Sequence, residues 1–453
     1  MQDSPLSLLP PIVAIAVAIW RRNALLALFV GLVLCFVMIN QWQVLDGIIG
    51  TGASVIDVFG STYNVYIVVF SLLIGALVTL LNRSGAVNGF IESLANMNLV
   101  KNSRQASLLP TVIGSAIFTD TNLSMFTAGT ASQKLFDRYR ISRARLAFLI
   151  DSTCSPISIL FLINGWGAYV LGLLDGYQLD DPVGILIGTI GYNFYAILAV
   201  AIAYLTAYTG REFGPLAQAK PFSTKTTSFE TDKIAPAYVM WAPLLTLIGL
   251  TLGLLLITGE GDIRRGSGAF SVFWSIVTSL ALLITLVSLN KLMDAKEILQ
   301  TSLSGIKNMV IPVSILVLSF AFGDGIKALG TGVYASEILA NDLPLYLLAP
   351  TLFIVAGFMA FATGTSWGTF AILIPIAVPI AIDTGLPVPY LVAAVLGGGV
   401  FGDHASPISD STVVASIASG CDHIEHVKTQ LPYTLFAAII SIIVYGAIGV
   451  YLT

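Results

Sequence analysis

Residues 401–412 read FGDHASPISDST, a dense polar stretch in a chain that is otherwise mostly apolar. Asp403, His404, Ser406, Ser409 and Asp410 lie within it, around Pro407. Proline lacks the N–H of a helical hydrogen bond and its ring clashes with the preceding turn. Pro407 is therefore expected to unwind its helix and free carbonyl oxygens. Carboxylate, hydroxyl and carbonyl oxygens without sulfur form the donor set of a hard cation. The pattern recurs as DSTCSPIS at 151–158, with Asp151, Ser155, Pro156 and Ser158. Both stretches read as broken helices holding a sodium ion, above all the second, where Asp403, Ser406 and Asp410 are the expected metal ligands. His404, beside Asp403, is a candidate for proton exchange.

The surroundings of these residues are oily. Of 453 residues, 56% are hydrophobic and 10% charged, and the mean hydropathy is +0.89. A soluble chain carries about 25% charged residues, so this one reads as an all-α polytopic membrane protein. Cys35, Cys154 and Cys421 are far apart and form neither a disulfide framework nor a ligand cluster. The first 22 residues carry their positive charges after the apolar run, unlike a cleavable signal. Apolar runs near membrane length fall at about 5–20, 24–39, 64–82, 146–173, 183–209, 236–257, 270–289, 309–327, 388–418 and 431–452. Segments 43–62, 86–97 and 294–308 are amphipathic and fit helices lying along the interface.

Two further apolar regions, 107–135 and 344–382, are too long for one span and carry a polar hinge at the middle. The hinges are FTDTNLS at 118–124 and ATGTSWG at 362–368. Each region reads as a re-entrant hairpin whose tip meets a broken helix. Thr119, Asp120 and Asn122 in the first tip, and Thr363, Thr365 and Ser366 in the second, would bring backbone N–H groups and small polar side chains to the centre. Asn164 and Trp166, with Trp367, are candidates to flank an organic solute, although Trp166 also fits an interfacial anchor. An aspartate at the bilayer centre costs about 2.5–3.5 kcal/mol. Asp120, Asp151, Asp403 and Asp410 are four such costs, more than packing alone explains. Asp120 and Asp151 read equally well as helix N-caps. The run CDHIEH at 421–426 offers a metal pair, a pH sensor or a solvated connecting loop.

Threading the runs with Arg21 and Arg22 inside places eighteen Lys and Arg residues on the inner side and three, Arg264, Arg265 and Lys327, outside. The positive-inside rule then puts both termini outside. Internal similarities link ESLANMNL (92–99) with EILANDLP (337–344), TDTNLS (119–124) with TGTSWG (363–368), and SPIS (155–158) with SPIS (406–409). Their nearly constant spacing and opposite orientation predict two inverted repeats, 1–209 and 236–453, joined by a cytoplasmic linker at 210–235. Each repeat is expected to hold about five spans and one re-entrant hairpin, with a broken helix at the midplane (146–173 and 388–418), the layout of many secondary transporters.

FGDHASPISDSTVVAS followed by GCDHIEHVKTQLPY resembles the second-repeat signature of the NhaC-type sodium/proton antiporters, and FTDTNLS and DSTCSPIS resemble its first-repeat partners. The resemblance implies a bacterial inner-membrane carrier with inverted repeats, paired hairpins, an elevator-like motion and a homodimeric assembly. It points to Asp403, Ser406, Pro407, Ser409 and Asp410, and to Asp151, Ser155 and Ser158. The first repeat departs from the second at Ile159, which stands where the second has Asp410.

The expected function is sodium-coupled transport without a cofactor, most specifically Na⁺/H⁺ antiport in which Asp403 and Asp410 bind sodium or protons in turn. The alternatives are sodium-coupled transport of a small amino or organic acid and, in another class, an ion channel. No G-x-S-x-G or H-E-x-x-H set lies within a span, so an enzyme is not expected. The partners are Na⁺, H⁺ and the lipid bilayer, with no nucleic acid.

Overall fold

In lipid, backbone polar groups have no water to bond with, so apolar runs of this length close their hydrogen bonds as helices. The computed structural model describes residues 5–21, 23–96, 100–161, 164–175, 177, 179, 181–220, 233–331, 334 and 344–453. Among these residues every regular element is helical. The first half holds α1 Leu9–Arg21, α2 Ala24–Ile39, α3 Val44–Asp57, α4 Thr62–Arg83, α5 Ala86–Asn96, α6 Ser103–Ala116, α7 Thr121–Arg138, α8 Arg143–Leu160, α9 Gly165–Asp175, α10 Pro182–Tyr192 and α11 Phe194–Thr209. The second holds α12 Tyr238–Thr258, α13 Gly268–Leu289, α14 Ala295–Asn308, α15 Val310–Ala328, α16 Leu348–Thr363, α17 Ser366–Thr384, α18 Val388–Ala405, α19 Asp410–Ser419 and α20 His423–Leu452. Eight described helices are long and apolar enough to cross a bilayer, or up to ten if each bent pair is one span.

The two interrupted regions form helix–turn–helix pairs, α6–α7 and α16–α17, turning at the polar hinges. The amphipathic segments form α3, α5 and α14. α14 packs closely on α4, and a methyl added to Gly305 would sit 2.2 Å from the Gly75 carbonyl. Small residues on both helices permit this approach. The apolar run 183–209 is split into α10 and α11 at Asn193, whose side chain accepts the Ala196 N–H. The segments 92–99 and 337–344 lie partly outside the described residues, as does 221–232 of the linker.

One expectation fails at Pro156. α8 runs unbroken through Asp151–Ser158, and the bend of 41° comes after Leu160. Membrane helices tolerate proline where neighbouring helices and Ser or Thr side chains accommodate the freed groups. Pro156 is followed by Ile157 and Ile159, apolar residues that continue the helix. Pro407 behaves as expected. α18 ends at Ala405, Ser409 caps α19, and the two helices bend by 50°. Here Asp410 follows the serine, and a Ser cap with an acidic first turn starts a new helix.

The helix starts at 103, 121, 143 and 165 recur at 348, 366, 388 and 410, a constant spacing of 245 residues. Residues 161–164 therefore correspond to the break at 406–409. The two SPIS tetrapeptides are 251 apart and so occupy different places: the first lies inside α8, the second is the break itself. α18 packs on α16 through glycines, with a methyl at Gly402 falling 2.1 Å from the Gly357 carbonyl. This contact brings Asp403 up to the turn between α16 and α17.

Candidate functional site

The second break is built around Asp403, which is 3% exposed. Ser366, the first residue of α17, donates to its Oδ2 at 3.2 Å. Ser409, the cap of α19, donates to its Oδ1 and lies 2.9 Å from the Ser411 hydroxyl. The direct partners of the carboxylate are thus hydroxyl groups from the hairpin turn and from the break. Ser406 is engaged elsewhere: its hydroxyl donates to the Phe361 carbonyl at 2.8 Å and so fastens the break to the end of α16. Thr363 donates to the Met359 and Thr365 carbonyls within its own turn. Thr365 is the N-cap residue of α17 and gives no side-chain cap. Asp410 opens α19 and is exposed.

His404 faces the other way, into a fully buried polar cluster. Its Nδ1 lies 3.0 Å from the Tyr195 hydroxyl and its Nε2 is 3.4 Å from Asp151 Oδ1. His426 Nε2 is 3.1 Å from Asp151 Oδ2. Gln430 donates to the same oxygen at 2.7 Å and to the His404 carbonyl at 2.8 Å. Asp151 is therefore matched to two imidazoles and an amide, whereas Asp403 is matched to hydroxyls. Tyr195 and Gln430 are additions that the sequence did not single out, while His426, which the sequence offered as half of a metal pair or as a pH sensor, stands instead against Asp151. The available signal was the i, i+4 spacing of His426 and Gln430, which puts both on one face of α20.

The run 421–426 serves several structures. Asp422 caps α20, accepting the Ile424 and Glu425 N–H groups. His423 bridges the Pro407 carbonyl at 2.7 Å and the Ser416 hydroxyl at 3.1 Å. His423 and His426 thus have different partners, and among the described residues no three His, Cys, Asp or Glu side chains gather as metal ligands.

In the first half, Asp120 caps α7, accepting the Leu123 N–H at 2.7 Å. Asn122 is exposed. Thr119 and Ser155 are buried, and neither hydroxyl has a hydrogen-bond partner in the described structure. Ser158 accepts from Thr121 Oγ1 at 3.2 Å and donates to the Cys154 carbonyl. Asn164 donates to the Phe118, Ser158 and Phe161 carbonyls and accepts the Trp166 and Gly167 N–H groups. The spacing of 245 pairs Thr121 with Ser366, Ser158 with Asp403 and Asn164 with Ser409. The two breaks share a plan, but only the second carries a carboxylate at this place. Trp166 and Trp367 face each other across the two turns at 5.7 Å between ring centroids, and Tyr169 donates to the Trp367 carbonyl.

Comparison with known proteins supports the membrane-transport reading of this geometry. The model of the Na⁺/H⁺ antiporter family matches residues 146–450. An uncharacterized protein of Haemophilus influenzae is 31% identical over 98% of this chain and 90% of its own length. The malate-2H⁺/Na⁺-lactate antiporter of Bacillus subtilis is 32% identical over 40% of each chain. The fold resembles that of the YdaH transporter of Alcanivorax borkumensis, with a TM-score of 0.59 and 14% identity over 89% of this chain and 88% of that one. The family match, the near full-length relative and the apolar helices together establish that the chain belongs to the Na⁺/H⁺ antiporter family of membrane transporters.

Proposed function

We propose that the chain exchanges sodium for protons across a bacterial inner membrane, and that Asp403 is the group for which the two cations compete. One observation carries this reading: Asp403 is buried, and the side chains that touch it are hydroxyls. A charge buried without a cationic partner costs several kcal/mol. Either sodium or a proton removes that cost, and the bare carboxylate resists passage through the apolar barrier. A carrier that moves only when loaded with one cation or the other is an exchanger. Ser366 and Ser409 act as donors to the bare carboxylate, and their oxygens turn to a bound cation.

The repeated helix starts support two inverted repeats, 1–209 and 236–453, with α6–α7 and α16–α17 as re-entrant hairpins. Ser366 lies on a hairpin and Asp403 at a break, so movement of these elements together would carry the loaded site between faces in an elevator-like step. Asp410, one turn away at a helix start, would tune the local potential. The charge distribution supports an outside location for both termini.

The test is sodium-driven proton movement in proteoliposomes. Asp403→Asn is expected to abolish it while the protein still inserts and folds. Exchange that persisted in this variant would remove Asp403 from the mechanism.

A second reading keeps sodium and adds an organic acid as cargo. The Bacillus subtilis relative, which carries malate and lactate in its name, favours it, as does the aromatic pair Trp166–Trp367 between the two turns. Sodium-gradient-driven uptake of labelled lactate or malate separates the two readings.

A further inference from the structure

The two breaks share a plan but differ in what fills them. In the first half, three carbonyl oxygens converge on one nitrogen, the side-chain amide of Asn164. The Ser158 carbonyl lies at 2.7 Å and those of Phe118 and Phe161 at 2.9 Å. Three oxygens around a single electropositive centre at a helix end form a cation's environment, and the negative end of a helix dipole favours positive charge there. An amide nitrogen with two donors fills that place without being an ion.

The spacing of 245 maps these three carbonyls onto those of Thr363, Asp403 and Ser406. They stand at the ends of α16 and α18. The Asp403 carbonyl accepts the Ser406 N–H at 3.2 Å and the Ser406 carbonyl the Thr412 hydroxyl at 2.9 Å, and a carbonyl oxygen has a second lone pair for a cation. The residue in the place of Asn164 is Ser409. Its side chain is shorter, carries no amide and turns to Asp403 Oδ1; only its backbone N–H approaches one of these carbonyls, that of Ser406, at 3.5 Å.

We propose that the Asn164 amide is a built-in stand-in for a cation, and that the carbonyls of Thr363, Asp403 and Ser406 hold the transported sodium at the matching place in the second half. The chain then binds a single sodium ion. Ser406 contributes through its backbone, which agrees with its hydroxyl being tied to Phe361. The proposal rests on the sodium reading above and specifies where the ion sits.

The test measures sodium-dependent thermal stabilisation of the purified full-length protein, titrated with NaCl against choline chloride. Wild type is expected to follow a one-site curve. Ser409→Asn delivers an amide to the second-half carbonyls and should remove the sodium response, whereas Ser409→Ala takes away one hydroxyl oxygen but leaves the place open, so the response should weaken, with its midpoint raised by up to about tenfold, and not disappear. Asn164→Ser opens the first-half place and should make the curve steeper or biphasic as a second ion enters.

A full sodium response in Ser409→Asn overturns the proposal, and so does a two-site curve in wild type. If Asn164→Ser does not fold, the Ser409 pair still decides. Wild type without any sodium response would instead defeat the sodium reading itself, a result distinguishable from failure of the stand-in.

Discussion

His426 Nε2 stands 3.1 Å from Asp151 Oδ2, joining α20 to α8 across 275 residues of sequence. Both side chains are fully buried, so neither can turn to water if its partner is lost. Removing one member of a buried charged hydrogen bond costs about 1–3 kcal/mol or more. His426→Ala and Asp151→Asn are each expected to lower the melting temperature. Their effects should not add, with a coupling of about 0.5–3 kcal/mol. A double-mutant cycle on detergent-solubilised protein measures it, and strict additivity would show that the pair is not coupled.

Asp410 is exposed at the first turn of α19. A carboxylate at a helix N-terminus contributes about 0.3–1 kcal/mol and is screened by salt. Asp410→Asn is therefore expected to raise the KM for sodium severalfold and to leave the maximal rate near that of wild type. The difference should shrink when ionic strength is raised with choline chloride. Initial rates of sodium-driven proton flux at two salt concentrations measure this. Complete loss of flux at saturating sodium would place Asp410 among the ligands, beside Asp403.

Much of this architecture is legible in the sequence, for local reasons. The helix–turn–helix pairs announce themselves because TDTNLS and TGTSWG put turn chemistry in the middle of apolar runs. The second break is legible because Pro407 is followed at once by a cap and an acidic first turn. Pro156 misleads because its tetrapeptide is identical while its context is not: Ile159 and Leu160 follow it and carry the helix onward, where the second tetrapeptide is followed by Asp410 and Ser411. The same coincidence puts the repeat match six residues out of register and hides the equivalence of Ser158 with Asp403. The partners of Asp151 are illegible for another reason. Tyr195, His404, His426 and Gln430 come from three helices that only tertiary packing brings together.

The turn between α16 and α17 is held against the break by a glycine. Gly364 has φ +70°, and a methyl there would lie 2.5 Å from the Ile408 carbonyl. A non-glycine residue in this conformation costs about 1–2 kcal/mol, and the clash adds to it. Gly364→Ala is expected to push Ser366 away from Asp403, cutting sodium-driven flux by tenfold or more while the helix content stays unchanged. Flux assays with circular dichroism on the same preparation test this. Wild-type flux in the variant would mean that contact between turn and break is not needed for transport.

α19 is anchored at its far end by the first half of the chain. Its last carbonyls, Ala418 and Ser419, have no partners within their own helix. Gln133 of α7 donates to Ala418 O at 2.9 Å, and Arg143, at the start of α8, donates to Ser419 O at 2.7 Å. The same guanidinium grips Asp137 with two bonds, at 2.9 and 2.6 Å. Arg143 is buried while Asp137 is partly exposed, so the fork, more than the charge, is what Arg143 uniquely supplies. Lysine keeps the charge but cannot hold two carboxylate oxygens and a carbonyl in one plane. Arg143→Lys is expected to destabilise the protein by about 1.5–3 kcal/mol, the range for hydrogen bonds to charged groups. The loosening should reach the break through α19, lowering the apparent sodium affinity without abolishing exchange. Thermal unfolding and sodium titration of the same variant measure both effects. If stability fell and sodium affinity did not, Arg143 would be a brace for α7 and α8 alone, and α19 would take its position from the Ser409 cap and α20.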